Sequence, residues 1–322
     1  MARPSTPSAT RSRALARMLR ALDVRANSML ITVFGDAIAP RRQSVWLGSL
    51  IALLAPLGLS SRLVRTSASR LSADGWFTAV REGRRSYYGL SEAGLQRVQH
   101  ADRRIYEFNL PQWDGRWTVV LLATTMRASD RLRLQRELTW ESFGRLSPHV
   151  FAHPHASHAA LQEIIAAAGQ QDQVAVLRAQ ALDGFSSQPL QHIMHATFAL
   201  ERVAEAWKQF IQRFAPLLQE AAPWEPADAF VARSLLIHEY RRVLLRDPNL
   251  PQVFLPADWP GVQARSLCEA LYGKLLKASE TYLHAQVQAQ DGALAPTPRA
   301  ITHRLAHRPP RQKPGTEAPA RA

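Results

Sequence analysis

WLGSLIALLAPLGLSSRLVRTSASRLSADGWFTAVREGRRSYYGL, residues 46–90, changes pattern three times along its length. Residues 46–59 are an apolar run, too short to span a bilayer and interrupted by Gly48, Pro56 and Gly58, which reads as a helix and then a turn. Ser60 or Ser61 can cap a following helix by accepting an orphan amide proton of its first turn. At about 100° per residue, Val64, Ala68 and Leu71 share one side of that helix. Arg62, Arg65, Thr66 and Ser69 share the other, with Arg70 at its edge. Residues 76–80 and 86–90 then read as two aromatic-rich strands about Arg81-Glu82-Gly83-Arg84-Arg85, a tight hairpin. The succession predicts a winged helix-turn-helix.

A basic helix face on its own is an ordinary solvated surface; the hairpin gives it another meaning. Arginine forks match the O6 and N7 acceptors of guanine, and Thr or Ser hydroxyls bond phosphates. A wing would bring Arg81, Arg84 and Arg85 onto phosphates or into the adjacent minor groove. Double-stranded DNA is therefore the expected partner.

Outward from this segment, residues 28–38 (SMLITVFGDAI) form a helix candidate through Leu30, Ile31, Val33, Phe34, Ala37 and Ile38. The 322-residue chain is 46% apolar with eight Trp, enough for two or three domains. Its +14 charge is unevenly spread: residues 106–295 hold 17 basic and 19 acidic side chains, while residues 28–105 hold 11 and 5. Residues 1–25 and the tail from 296 each hold six basic and one acidic residue in Pro-, Ser- and Ala-rich surroundings. Both ends are expected to be disordered, as salt-sensitive DNA-binding arms or as plain solubilising tails. Cys268 is the single cysteine, which excludes an intrachain disulfide or cysteine zinc site. No apolar core of a signal peptide follows the N-terminal arginines, so a cytoplasmic protein is expected.

From Ser91 a polar helix leads to a buried strand at 117–123, a charged helix at 129–143 with Leu132, Leu134 and Leu138 inward, a strand at 145–152, a helix at 158–168 and a strand at 173–180. This fits a ferredoxin-like α+β unit with one strand hard to place. His153, His155 and His158 stand close together, yet no neighbouring carboxylate or thiolate completes a metal set, and a loop is the better reading. Beyond 195 the chain is helical. His238 and Glu239 lack the second His of a zincin and read as a polar face or a hydrogen-bonded pair. Residues 245–261 (LRDPNLPQVFLPADWPG) hold four prolines. They form either a rigid connector or the wall of a pocket in which Trp259 meets an apolar group and Arg241, Arg242 or Arg246 meets phosphates.

The fragments SMLITVFGDAIAP, VWLGSLIALLAPLGLSSRLVRTSASRLSADGWF, REGRRSYYGLSEAGLQR, IYEFNLPQWDGRWTVV and LIHEYRRVLLRDPNLPQVFLPADWPG occur in order across most of the chain. Together they resemble the PaaX-type repressors of phenylacetic acid catabolism in bacteria. The resemblance implies a mixed α and α+β protein: an N-terminal winged helix, a central ferredoxin-like domain similar to small CRISPR-associated nucleases, and a helical C-terminal domain. It also implies a homodimer released from operator DNA by phenylacetyl-CoA, with recognition positions at Arg65, Thr66, Ser69 and Arg70 and a wing at Arg81, Arg84 and Arg85. The expected division is a basic arm at 1–26, the winged helix at 27–108, the dimerising domain at 109–192, a helical domain with the effector site at 193–290, and a basic tail at 291–322. Nucleases of the central fold carry an acidic residue at the end of their first strand. Here that strand ends Ala123-Thr124-Thr125, so metal-assisted hydrolysis has no evident ligand and a non-enzymatic regulator without a metal is expected. The alternatives are the same architecture answering to a different aromatic or acyl-CoA effector and, further off, a nucleic-acid hydrolase.

Overall fold

The computed structural model describes residues 12–22, 24–106, 113–182, 188–220 and 223–302. Helix α1 (Arg13–Ala21) is capped by the Ser12 hydroxyl, which accepts the Leu15 amide proton. It buries Leu15 and Met18 in the main core. Residues 12–22 thus depart from the disordered arm expected over 1–26: an apolar pair one turn apart anchors a segment whose composition is basic. Residues 1–11 lie outside the described residues. Helix α2 (Ala26–Val33) runs into a π-helical turn at Phe34–Ile38 and a 3-10 turn at Ala39–Arg41, so the helix expected at 28–38 has two geometries in series. The wider turn re-aims the side chains after it, and it carries the buried Asp36.

Strand β1 (Val45–Trp46) leads into α3 (Leu47–Leu54), and a 3-10 turn ends at Gly58, whose φ of +82° suits a residue without a Cβ. Helix α4 (Ser61–Ala73) comes next. Its N-cap is Ser60, whose Oγ accepts the Leu63 N–H at 3.3 Å. Strands β2 (Phe77–Glu82) and β3 (Arg85–Leu90) pair with Glu82 opposite Arg85. This leaves a two-residue tip with Gly83 first, at φ +59°, the residue such a position favours. Helix α5 (Glu92–Tyr106) leads away from the hairpin.

The middle of the chain runs β4 (Arg116–Leu122), α6 (Ala128–Trp140), β5 (Gly144–Ser147), β6 (Val150–His153), α7 (His158–Ala168) and β7 (Val174–Gln180). The single strand expected at 145–152 is two strands, and the second supplies the one that could not be placed. The sheet is antiparallel throughout, in the order β5-β6-β4-β7. On one face Val120, Leu122 and Phe151 pack with Leu134, Leu138 and Leu161 of α6 and α7. Leu132 departs from the inward position expected of it and is 57% exposed. It lies about 200° around the helix from Leu134.

The opposite sheet face meets the C-terminal region: α8 (Gln188–Thr197), α9 (Leu200–Leu218), α10 (Pro226–Leu244) and α11 (Pro260–Gln286). Trp113, Trp117 and Phe254 form an edge-to-face triangle with centroids 5.2–5.7 Å apart. At Gly144 any Cβ would collide with the Phe198 ring. Helix α10 is buried continuously from Ala229 to Tyr240, because α9, α11 and α2 surround it. No helix among the described residues is long and apolar enough to cross a membrane.

Past α11, β8 (Gln288–Ala289) pairs with β1 and β9 (Gly292–Ala293) pairs with β8, giving a second sheet in the order β2-β3-β1-β8-β9. A short α12 (Arg299–Thr302) buries Ile301. Residues 291–302 therefore depart from the expected disordered tail, since backbone pairing and two buried apolar side chains, Leu294 and Ile301, hold them. The remainder of that tail, 303–322, lies outside the described residues.

A buried polar network joins these parts. Arg233 of α10, 1% exposed, reaches Asp36 on the π turn (2.7 Å), Glu280 of α11 (2.6 Å) and the Tyr272 hydroxyl (3.0 Å). Arg41 pairs with the other Glu280 oxygen and donates to the Ala295 carbonyl at 2.9 Å. The Tyr106 and Tyr272 hydroxyls donate to Asp36 at 2.7 and 3.0 Å. Burial alone would raise the pKa of Glu280, but Arg233, Thr297 and Arg41 hold it below its ordinary value. Removing one partner strands a buried charge, so Asp36→Ala is expected to cost about 3–5 kcal/mol in urea unfolding. A loss below about 1 kcal/mol would show that the network is solvated.

Candidate nucleic-acid interface

Ser60 and Gly58 fix where α4 begins, and Val64, Ser67, Ala68 and Leu71 fix which side of it is buried. The remaining side presents Arg62, Arg65, Thr66, Ser69 and Arg70, all exposed. The Thr66 hydroxyl donates to the Arg62 carbonyl at 3.0 Å, which sets its rotamer and leaves its lone pairs outward. At the hairpin, Arg81, Arg84 and Arg85 are exposed. Arg85 lies 5.0 Å above the Trp46 ring, and Arg81 Nε donates to the Gly83 carbonyl at 3.2 Å. The one carboxylate of the tip, Glu82, accepts from Gln290 of the C-terminal hairpin. Among the described residues no carboxylate pairs with the arginines of α4 or the tip. Two elements thus present unneutralised guanidinium groups, the electrostatic requirement for meeting a phosphate backbone.

A second basic cluster lies where α6 faces the end of α10. Arg241, Arg242 and Arg246 line a groove of about 990 Å³ together with Arg136, Arg145, Leu132, Trp140 and Leu245. Trp259 does not join them: it caps α11 at 7% exposure, and Gly261 leaves room for its ring in the main core near Trp207. The proline-rich run around it is a platform. Its Asp247 accepts from Trp207 Nε1 at 2.7 Å, and its Val253 and Phe254 carbonyls accept from Gln191 and His195 at 3.1 and 2.9 Å. Arg136, Arg145 and Trp140 escaped the sequence reading. Only their helical spacing with Leu132, residues 132, 136, 139 and 140, could have marked a face.

His238 and Glu239 are buried in hydrogen bonds. Glu239 binds Arg213 at 3.2 Å and Arg242 at 2.7 Å. His238 Nδ1 lies 3.1 Å from Thr32 Oγ1, whose hydroxyl donates to the Ser28 carbonyl at 2.9 Å and whose oxygen accepts from Arg241 at 3.1 Å. His153 accepts the His155 amide proton at 2.9 Å, a local turn. Among the described residues no group of three or more His, Cys, Asp or Glu could hold a metal ion. Cys268 is fully buried and its thiol is pushed up by desolvation.

An arginine-faced helix and hairpin set on a larger body is the layout of a transcription regulator. Comparison with known proteins narrows the class: models of the PaaX-like protein, the PaaX protein central Cas2-like domain and the PaaX-like protein C-terminal domain match residues 25–94, 110–191 and 198–285. The transcriptional repressor PaaX of Escherichia coli (strain K12) is 37% identical over 287 residues, covering 88% of this chain and 90% of that protein. The chain belongs to the PaaX family. An uncharacterized protein of Mycobacterium tuberculosis shares its fold at a TM-score of 0.52 and 23% identity, over 80% of this chain and 98% of that one.

His238 sits where α10 touches α2, and burial, then the charges of Arg241 and Arg242, lower its pKa to about 4. Between its unfolded value near 6.5 and that figure, only the unfolded chain takes up this proton, so stability falls as the pH drops through the interval. Wild type is expected to lose about 2 kcal/mol more than His238→Gln between pH 7.5 and pH 5 in urea titrations. Parallel losses would mean that the imidazole titrates normally.

Proposed function

We propose that the chain is a DNA-binding repressor of a phenylacetate degradation operon, a non-enzymatic cytoplasmic regulator released from its operator by phenylacetyl-CoA. The unpaired arginines on α4 and the hairpin tip carry this reading, and the kinship with the E. coli repressor supports it. In it, residues 46–90 act as a winged helix-turn-helix. The α4 face enters the major groove through Arg62, Arg65, Thr66, Ser69 and Arg70, while Arg81, Arg84 and Arg85 grip phosphates or the minor groove. Arg241, Arg242 and Arg246 are the effector contacts.

The β-α-β-β-α-β order of the central domain is ferredoxin-like, and we read it as the dimerisation platform. Its outer strand β7 leaves Val176 and Leu177, on opposite faces, 43% and 49% exposed. An apolar edge of this kind pairs readily with a copy of itself. Two heads held in a dimer would read half-sites one or two helical turns apart.

Fluorescence anisotropy on DNA upstream of the gene tests the reading: binding should be released by phenylacetyl-CoA and not by phenylacetate or CoA. Arg65→Ala should cost about 1–3 kcal/mol on the operator only, whereas Arg84→Ala should weaken operator and random DNA alike. Equal losses on both DNAs for Arg65→Ala would remove its base-reading role. Light scattering should show a dimer that Leu177→Lys shifts to monomer at micromolar concentration; an unchanged mass would exclude β7 as the contact.

A further inference from the structure

The groove between α6 and α10 is unusual in composition as well as shape. Five arginines line it and no carboxylate does. The cleft on the other side of α6 is the reverse, with Glu137, Glu141 and Glu163 against the single Arg133. The helix therefore divides its charge lengthwise, and the basic half faces α10. Arg136, Arg145 and Arg246 are exposed, and among the described residues none is in an ion pair. Interspersed with them stand apolar side chains that folding leaves uncovered: Leu132 at 57% and Trp140 at 59% exposure. The volume, about 990 Å³, is at the upper end of the roughly 300–1,000 Å³ typical of small-molecule clefts.

A ligand that satisfies this lining must carry several negative charges and an apolar or aromatic part. Guanidinium forks match phosphate oxygens bidentately, and an indole offers a flat face to a ring or acyl chain. We propose that the α6–α10 groove is the binding site of an acyl thioester of coenzyme A, with the phosphates on Arg136, Arg145 and Arg246 and the acyl group against Trp140 and Leu132. This rests on the effector reading above and gives it a location. It adds two elements to the C-terminal arginines, α6 and the start of β5, so the site lies between the central and C-terminal domains.

The location also supplies a route to the DNA-binding head. Arg241 lines the groove and donates to Thr32 of α2 at 3.1 Å, and α2 packs on α4. An anion that draws Arg241 toward the groove competes with the Thr32 contact, so occupancy and the placement of α2 are coupled through one side chain.

Titration calorimetry on the full-length protein without DNA tests the site, with phenylacetyl-CoA, CoA and adenosine 3′,5′-bisphosphate as probes. Arg136→Ala with Arg246→Ala should weaken phenylacetyl-CoA binding at least 30-fold. Trp140→Leu should weaken it 5- to 10-fold while leaving the bisphosphate within 2-fold. Both variants change exposed side chains, and an unchanged Tm confirms that they fold. If thioester binding survives the double change, or if none of the three probes binds wild type, the proposal is overturned. It is overturned equally if the double change weakens ligand-free DNA binding and leaves the thioester affinity intact, because the groove is then a DNA surface. Arginine-dependent thioester binding that leaves DNA affinity unaltered would uphold the site and remove the effector reading.

Discussion

Arg233 is a guanidinium with almost no exposed surface, and the arrangement of the chain is set by the partners it must touch. A charge moved out of water costs several kcal/mol unless partners restore its interactions. The partners come from distant places: Asp36 from the π turn after α2, and Glu280 and Tyr272 from α11. Desolvation alone would lower the pKa of Arg233, and Asp36, Tyr272 and Glu280 more than reverse that, so the pair stays ionised. Such a network contributes little net stability compared with apolar side chains of the same volume. Its effect is selective: alternatives that separate the N-terminal helices from α10 and α11 leave two carboxylates and two guanidiniums buried without partners.

The π turn is explained by the same requirement. Residues 34–38 could continue α2 as an ordinary helix, and their apolar spacing suits one. A wider turn re-aims the residues beyond it, and here it holds Asp36 against Arg233 while Phe34 still stacks on Phe77 of the hairpin at 4.3 Å. The region bearing α4 is thus bound to the C-terminal body by its entry helix and also by the β8-β9 hairpin, which extends its sheet beyond β1. Neither connection is a flexible linker, so the two regions cannot move independently without breaking buried bonds.

What the sequence discloses divides along the range of the interactions. The α4 face, its serine cap, the glycine at the hairpin tip and the strand–helix order of the central domain are set by neighbours within a few residues, and periodicity shows them. The β5-β6 turn had a local sign as well, Ser147-Pro148, a pair that favours turns. The Asp291-Gly292 pair similarly marks β8-β9 as a hairpin. Composition overrode both signals, since an apolar run looked like one strand and a basic tail looked disordered. Nothing local could disclose the ion network or the α6–α10 groove. Asp36 and Glu280, or Arg136 and Arg246, meet only because the fold brings them together, and a basic helix face reads identically whether it is solvated or lines a cleft. Trp259 shows the reverse error: a tryptophan among prolines resembles a pocket wall, yet Gly261 gives its ring a place in the core.

The coupling of site to head has a thermodynamic limit that the structure helps to satisfy. A ligand shifts a conformational balance only by the difference between its affinities for the two states, however tightly it binds either. A site confined to α10 and α11, inside the most buried part of the molecule, would offer nearly the same contacts in both. A groove whose walls belong to different domains changes width whenever those domains move, so its affinity depends on the arrangement. Arg241 sharpens the dependence because it is half-buried and already engaged by Thr32; desolvation lowers its pKa, with Tyr106 and Asp102 opposing. Any anion that recruits it gains a contact in one state and forfeits the Thr32 bond there. That exchange ties ligand chemistry to the orientation of α2, and through α2 to the arginines of α4.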